Sequence, residues 1–194
     1  MEFNYAEGAT PLDPNEIEGL IPTHITKREE LDRWEQQNIN EALAWVDEKK
    51  PNDVLNERFI KILHKKMFCD AWKWAGTFRK TEKNIGVPIY KISIDLKLLC
   101  DDAKYWIEHK TFSEDEIATR FHHRLVLIHL FPNGNGRHAR LITDILIEHV
   151  FNKSPFTWGK TDLIKSGQDR KKYIEALRAA DNNDYDLLLI FVRS

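Results

Sequence analysis

Apolar residues recur at three- and four-residue spacing through most of this chain, and only an α-helix brings such positions onto one face. From Thr26, the series Leu31, Trp34, Ile39, Ala42, Leu43 and Val46 runs through a Glu/Lys/Arg-rich background until Pro51, which predicts one amphipathic helix. Leu55, Phe59, Ile62, Leu63 and Met67 predict a second, with Asn52 or Asp53 as its N-cap. The pattern resumes at Leu96, Leu99, Cys100, Ala103, Trp106 and Ile107, and the capping box Ser113-x-x-Glu116 opens a further helix carrying Ile117, Phe121, Leu125 and Ile128. Three more helices fit residues 137–151, 169–180 and 184–192. Before Thr26, frequent Pro and Gly leave room for about one turn, over Asn15 to Glu18, with Pro14 at its first position and Gly19 at its end. The exception lies between Gly76 and Ile94, where Ile85, Val87 and Ile89 alternate and then Tyr90, Ile92 and Ile94 do. That period predicts a small β-hairpin on an otherwise all-α fold.

At 194 residues the chain is long enough for one sizeable core. Its 29 Lys+Arg against 31 Asp+Glu give a net charge of −2, without the footprint expected of a partner for nucleic acid or anionic lipid. Neither the start of the sequence nor short apolar runs such as Leu125 to Ile128 predict secretion or a membrane span. Cys69 and Cys100 are too few for a disulfide framework and lack zinc-module spacing, so a cytoplasmic setting is expected.

One junction between helical segments carries chemistry: His129-Leu130-Phe131-Pro132-Asn133-Gly134-Asn135-Gly136-Arg137-His138-Ala139-Arg140. Gly134 and Gly136 permit a backbone whose successive N–H groups converge, and the helix that follows adds its positive N-terminal dipole. Arg137 and Arg140 share the first turn of that helix and suit a polyphosphate. His129, at the opposite lip, is a general base by type, and Phe131 is expected to point inward and pin the loop.

Other constellations are weaker. His122, His123, His129 and His138 have no His-Glu-x-x-His motif or carboxylate cluster to complete a zinc site, so packing is expected of His122 and His123. Cys69 and His64 fall on different helix faces, and most of the six tryptophans sit on helical stripes, as core residues do. The chain has neither a P-loop nor a Gly-x-Ser-x-Gly elbow.

The junction resembles the Fic (Fido) signature, His-x-Phe-x-acid-Gly-Asn-Gly-Arg-x-x-Arg, and Asp53-Val54-Leu55 through Trp74-Ala75-Gly76-Thr77-Phe78-Arg79-Lys80 is similar to the segment preceding that family's flap. The Asn-Gly-Asn-Gly-Arg-His-Ala-Arg form and the Ala9-Thr10-Pro11-Leu12-Asp13-Pro14 segment resemble a bacterial subgroup known as mobile mystery protein B. The resemblance implies a Fido domain over residues 53–194 behind an N-terminal extension, 1–50, that carries an inhibitory turn and a packing helix. It implies transfer of AMP from ATP to a Ser, Thr or Tyr hydroxyl of a protein. His129 would be the base, Gly134, Asn135 and Gly136 the phosphate cradle, Arg137 the contact to the β/γ region and Arg140 the contact to the γ-phosphate. Ile85, Val87 and Ile89 would lie on a flap that docks the target by strand addition.

Asn133 replaces the acid that holds Mg²⁺ or Mn²⁺ in the family, and an amide oxygen is a weaker ligand for such a cation. Ile17-Glu18-Gly19 resembles the end of the family's inhibitory motif, with Pro14 at its Ser/Thr position, and so implies that Glu18 pairs with Arg140. Glu35 is a lesser candidate for that role, expected within a packing helix. An antitoxin-like or self-association partner is in keeping with such restraint. The alternatives are phosphate or other nucleotide transfer on the same fold, and a non-catalytic nucleotide-sensing or interaction module.

Overall fold

The computed structural model describes residues 10–160, 163 and 167–194; Ala9 of the subgroup-like segment lies outside them. Among the described residues eight α-helices follow one another: α1 (Pro14–Ile17), α2 (Arg28–Lys49), α3 (Glu57–Phe68), α4 (Ile92–His109), α5 (Glu114–Ile128), α6 (Asn135–Ile145), α7 (Gln168–Ala180) and α8 (Asp186–Val192). Neighbours in sequence are neighbours in space: α2 lies on α3, α4 on α5, α5 on α6, and α7 on α8. Phe121, Phe131, Ile142 and Leu146 are fully buried where α5, the junction and α6 meet, so the loop of interest is rooted in the core.

Local chemistry accounts for most boundaries. Pro14 opens α1, and the Asp13 carboxylate accepts from the Asn15 N–H while Glu16 reaches back to the Asp13 N–H at 2.8 Å. Ser113 Oγ accepts from the Glu116 N–H at the head of α5. For α3 the cap is Asn56, whose Oδ1 accepts from the Phe59 N–H at 2.8 Å, and not Asn52 or Asp53. Several Asx residues precede that helix, and only Asn56 stands where its side chain meets an orphan N–H. Of the α2 stripe, Leu31, Ile39, Ala42 and Val46 are buried, whereas Trp34 and Leu43 face outward.

The hairpin does not form. Residues 80–88 are irregular, Ile89–Lys91 make one 3₁₀ turn, and α4 starts directly at Ile92. The backbone groups that a hairpin would pair are claimed by side chains: Arg79 Nη2 donates to the Val87 carbonyl, and Glu82 Oε1 accepts from the Ile89 N–H. Pro88 has no N–H to offer. Ile92 belongs to the buried helical series Ile92, Leu96, Leu99, Cys100 and Ala103, so the second alternating run was the first turn of α4. The N-terminal segment reaches the body through an isolated antiparallel bridge between Leu20 and Trp72. Among the described residues, no helix is long and apolar enough to cross a membrane.

Candidate active site

α5 ends at His129, whose φ of 56° places it in the left-handed region and swings the chain away from the helix axis. The loop that follows is braced from within. Asn135 Oδ1 accepts from the Phe131 N–H at 2.9 Å, and its Nδ2 donates to the Phe131 carbonyl at 2.7 Å. The Phe131 ring stacks on His64 at 3.7 Å. His64 Nδ1 accepts from the Gly76 N–H, so its protonated Nε2 donates to the Asn133 carbonyl at 3.1 Å. Gly134 adopts φ 78°, and a Cβ there would sit 2.6 Å from the Phe68 ring. Only glycine satisfies both conditions.

α6 then begins at Asn135 with no side-chain cap. The N–H groups of Asn135, Gly136 and Arg137 have no intrahelical acceptor by geometry, and the helix dipole adds to them. Such a turn can take an anion on its backbone N–H groups. The Asn135 side chain is spent on bracing the loop, so the residue can offer a ligand only its N–H. A Cβ on Gly136 would lie 3.6 Å from Arg140 Nη1, which places that guanidinium over the same turn.

The His129 imidazole is buried, and neither Nδ1 nor Nε2 has a hydrogen-bond partner. Burial, followed by the positive charges of Arg79 and Lys83, lowers its pKa to about 4. The ring is therefore neutral at pH 7. Arg79, itself buried, donates through Nε to the His129 carbonyl at 2.6 Å and through Nη2 to the Val87 carbonyl, tying the flap segment to the end of α5. Gly86, at φ 106°, permits this closeness: a Cβ there would lie 2.7 Å from His129 Cβ. Val87 packs against the core, while Ile85 and Ile89 are exposed beside it.

The two arginines differ. Arg137 Nη1 pairs with Glu35 Oε2 at 2.7 Å, its Nη2 lies 3.3 Å from Asn133 Oδ1, and its head sits 4.8 Å over the Phe68 ring. Arg140 lies 5.9 Å from the centre of the Tyr173 ring, whose hydroxyl shares a hydrogen bond with His122 Nε2 at 2.9 Å. Glu18 is exposed at the end of α1 and makes no ion pair with either arginine; Glu16 is the α1 acid that turns inward, to Lys83 and to Thr81 Oγ1.

Asn133 Oδ1 already accepts from the Gly134 N–H at 2.7 Å and faces Arg137, so a cation bound to it would meet a guanidinium. The donor set does not fit a protein-held Mg²⁺ or Mn²⁺. Among the described residues, no group of three His, Cys, Asp or Glu side chains is arranged to hold a metal. His122 and His123 are packing residues, the latter between Asp181 and Tyr185. Burial raises both cysteine pKa values, that of Cys100 to about 11, which leaves no activated thiol.

The Fic/DOC family model matches residues 54–147, the stretch that carries Arg79, the flap segment, His129 and both arginines. That stretch, just under half of the chain, is similar to the Fic/DOC family. Protein adenylyltransferase Fic of Aedes aegypti is 28% identical over 146 residues, covering 73% of this chain and 28% of that protein. Its counterpart in Nematostella vectensis is 27% identical over 169 residues, covering 84% and 38% respectively. The chain thus spans well under half the length of these relatives. The fold is shared with Fic-1 of C. elegans (TM-score 0.67, 23% identity, 91% of this chain and 51% of that one) and with BepC of Bartonella tribocorum bound to AMPPNP (TM-score 0.68, 17% identity, 97% and 93%).

Glu35, His64, Arg79 and Tyr173 take part in this site although the sequence reading gave none of them a firm role. The Gly-x-Phe-Arg resemblance was the one available signal, and it pointed to Arg79.

Proposed function

We propose that this Fic domain is a protein adenylyltransferase, transferring AMP from ATP to a hydroxyl side chain of a target protein. The observation that carries this reading is a buried, unpartnered, neutral imidazole at one lip of a braced turn whose other lip is an uncapped helix N-terminus bearing two arginines. A buried polar group without a partner is rare and calls for a role. The curated relatives named adenylyltransferases and the AMPPNP-bound neighbour support ATP as donor.

In the proposed reaction the target's O–H gives its proton to His129 while its oxygen attacks the α-phosphorus. The new O–P bond forms as the bond to the β-phosphate oxygen breaks, and pyrophosphate leaves with that electron pair. The N–H groups of Asn135, Gly136 and Arg137, together with Arg140, hold the phosphates. Their negative charge raises the proton affinity of His129 once the donor is bound, making the ring a better base at that moment. Mg²⁺ or Mn²⁺ enters only as a companion of the donor's phosphates. The exposed Ile85 and Ile89 side chains are the target's docking surface beside the base. The bacterial subgroup belongs to the same reading on the strength of Thr10–Pro14 and the loop sequence, an antitoxin-like or second-copy partner on the likeness of Ile17-Glu18-Gly19 to an inhibitory motif, and a cytoplasmic setting on the two cysteines.

Incubation with α-labelled and γ-labelled ATP tests it. Label from the α position alone should appear on protein, and His129→Ala should lower its rate by about 10²–10⁴-fold while nucleotide binding persists. Label from the γ position would mean phosphoryl transfer, and no label from either would leave a nucleotide-binding module.

A further inference from the structure

We propose that Glu35 of α2 is a positioning residue for triphosphate binding: its buried ion pair fixes the Arg137 guanidinium at the phosphate loop. This rests on the functional reading above. It adds that a helix outside the family-matched stretch completes the site, since Glu35 and Arg137 lie 102 positions apart and the match begins at residue 54.

The pair is built rather than incidental. Glu35 is 1% exposed, and each carboxylate oxygen has its own donor: Trp72 Nε1 to Oε1 at 2.6 Å, and Arg137 Nη1 to Oε2 at 2.7 Å. Trp72 is held in turn by the bridge to Leu20 and by stacking on Trp74 at 4.8 Å. An arginine in the first turn of a helix normally samples many rotamers, and ordering it on ligand binding is costly. Here the head is fixed beforehand by Glu35, by Asn133 Oδ1 and by the Phe68 ring, and its side chain is only 12% exposed. A guanidinium has five N–H donors; Glu35 and Asn133 engage two, and the others remain available to phosphate oxygens. Because both Glu35 oxygens are saturated and enclosed, the carboxylate steadies the arginine without offering the donor a bare negative surface.

The test is a double-mutant cycle read by AMPPNP titration and by steady-state transfer from ATP. Glu35→Gln should weaken AMPPNP binding and raise KM for ATP by about 10-fold, with kcat changed by less than about twofold. In an Arg137→Gln background the same change should leave affinity where it is. A purely structural role would lower Tm in both backgrounds without moving the affinity of folded protein. Unchanged or tighter AMPPNP binding by folded Glu35→Gln overturns the assignment. If that variant does not fold, Trp72→Phe carries the test: it removes the donor to Oε1 while keeping an aromatic ring in the core and should weaken binding about threefold, and unaltered binding by the folded variant overturns the proposal. Wild-type protein that binds no AMPPNP overturns the functional reading, and this assignment with it; wild type that binds while Glu35→Gln binds equally well overturns this assignment alone.

Discussion

Arg137 and Arg140 sit one helical turn apart on α6 and are backed in opposite ways. Behind Arg137 stands a buried carboxylate in direct contact; behind Arg140 stand the Tyr173 hydroxyl and His122, with the Asp144 carboxyl near enough to feel its charge but not paired with it. Sequence spacing makes them equivalent, but packing does not. Arg137 is half anchor, with its charge partly answered within the protein, whereas Arg140 keeps more of its charge for whatever enters the loop. Two side chains of one type are thus held differently according to what α2 and α7 place behind them.

The sharpest way to break this contrast is to delete each arginine and measure folding and binding separately. Arg137→Ala leaves Glu35 buried without its cation and should lower unfolding free energy by about 3–5 kcal/mol, read by urea denaturation. Arg140→Ala should change stability by under about 1 kcal/mol while weakening AMPPNP binding by about 10-fold or more. Equal stability losses would dissolve the distinction.

Acid acts next, and on both sides of the loop. Burial lowers the pKa of His122 to about 3, and of His129 and His138 to about 4; it also holds His64 well below its ordinary value. Between about pH 4 and 6.5 the unfolded chain binds protons at these positions that the folded chain refuses, so stability rises with pH across that window. Asp144 runs the other way, its pKa raised by burial to about 7, so over the same window the folded state holds one proton that the unfolded state progressively loses. Four histidines outweigh one aspartate. Acidifying from pH 6.5 to 5 should lower Tm on the order of 10 °C, measured by calorimetry at several pH values.

A smaller effect should follow Tyr173→Phe, which removes the hydroxyl shared by His122 and leaves Arg140 a plain ring. A stability loss of about 1–2 kcal/mol is expected, with Arg137-dependent binding untouched, and this can be checked in the same titrations.

Much of this architecture can be read from the sequence because it is local. The 3.6-residue period marked α2, α5 and the other long helices, Ser113 marked the head of α5, and the glycine-punctuated junction marked the loop with His129 and both arginines. The flap was misread because Ile85, Val87 and Ile89 at alternate positions fit a strand as well as irregular chain entering a helix. What decided between them was Arg79 and Glu82, which took the backbone partners a strand would need. Tyr173 was out of reach, and Glu35 was named only as a lesser inhibitory candidate, for another reason: their contacts depend on long-range packing against α6, and no spacing rule connects residues so distant in the chain. The α1 acids show the same limit at close range. Glu16 and Glu18 are two positions apart, and a single turn of helix sends one inward to Lys83 and leaves the other in solvent.

The amide of Asn135, bonded to both the N–H and the carbonyl of Phe131, acts as a cross-brace. A turn stiffened in that manner has its shape before any guest arrives, so capture of a phosphate chain need not wait for the backbone to mould itself. Recognition at this spot should therefore resemble a key meeting a finished lock, with nucleotide association not limited by rearrangement of the glycine turn.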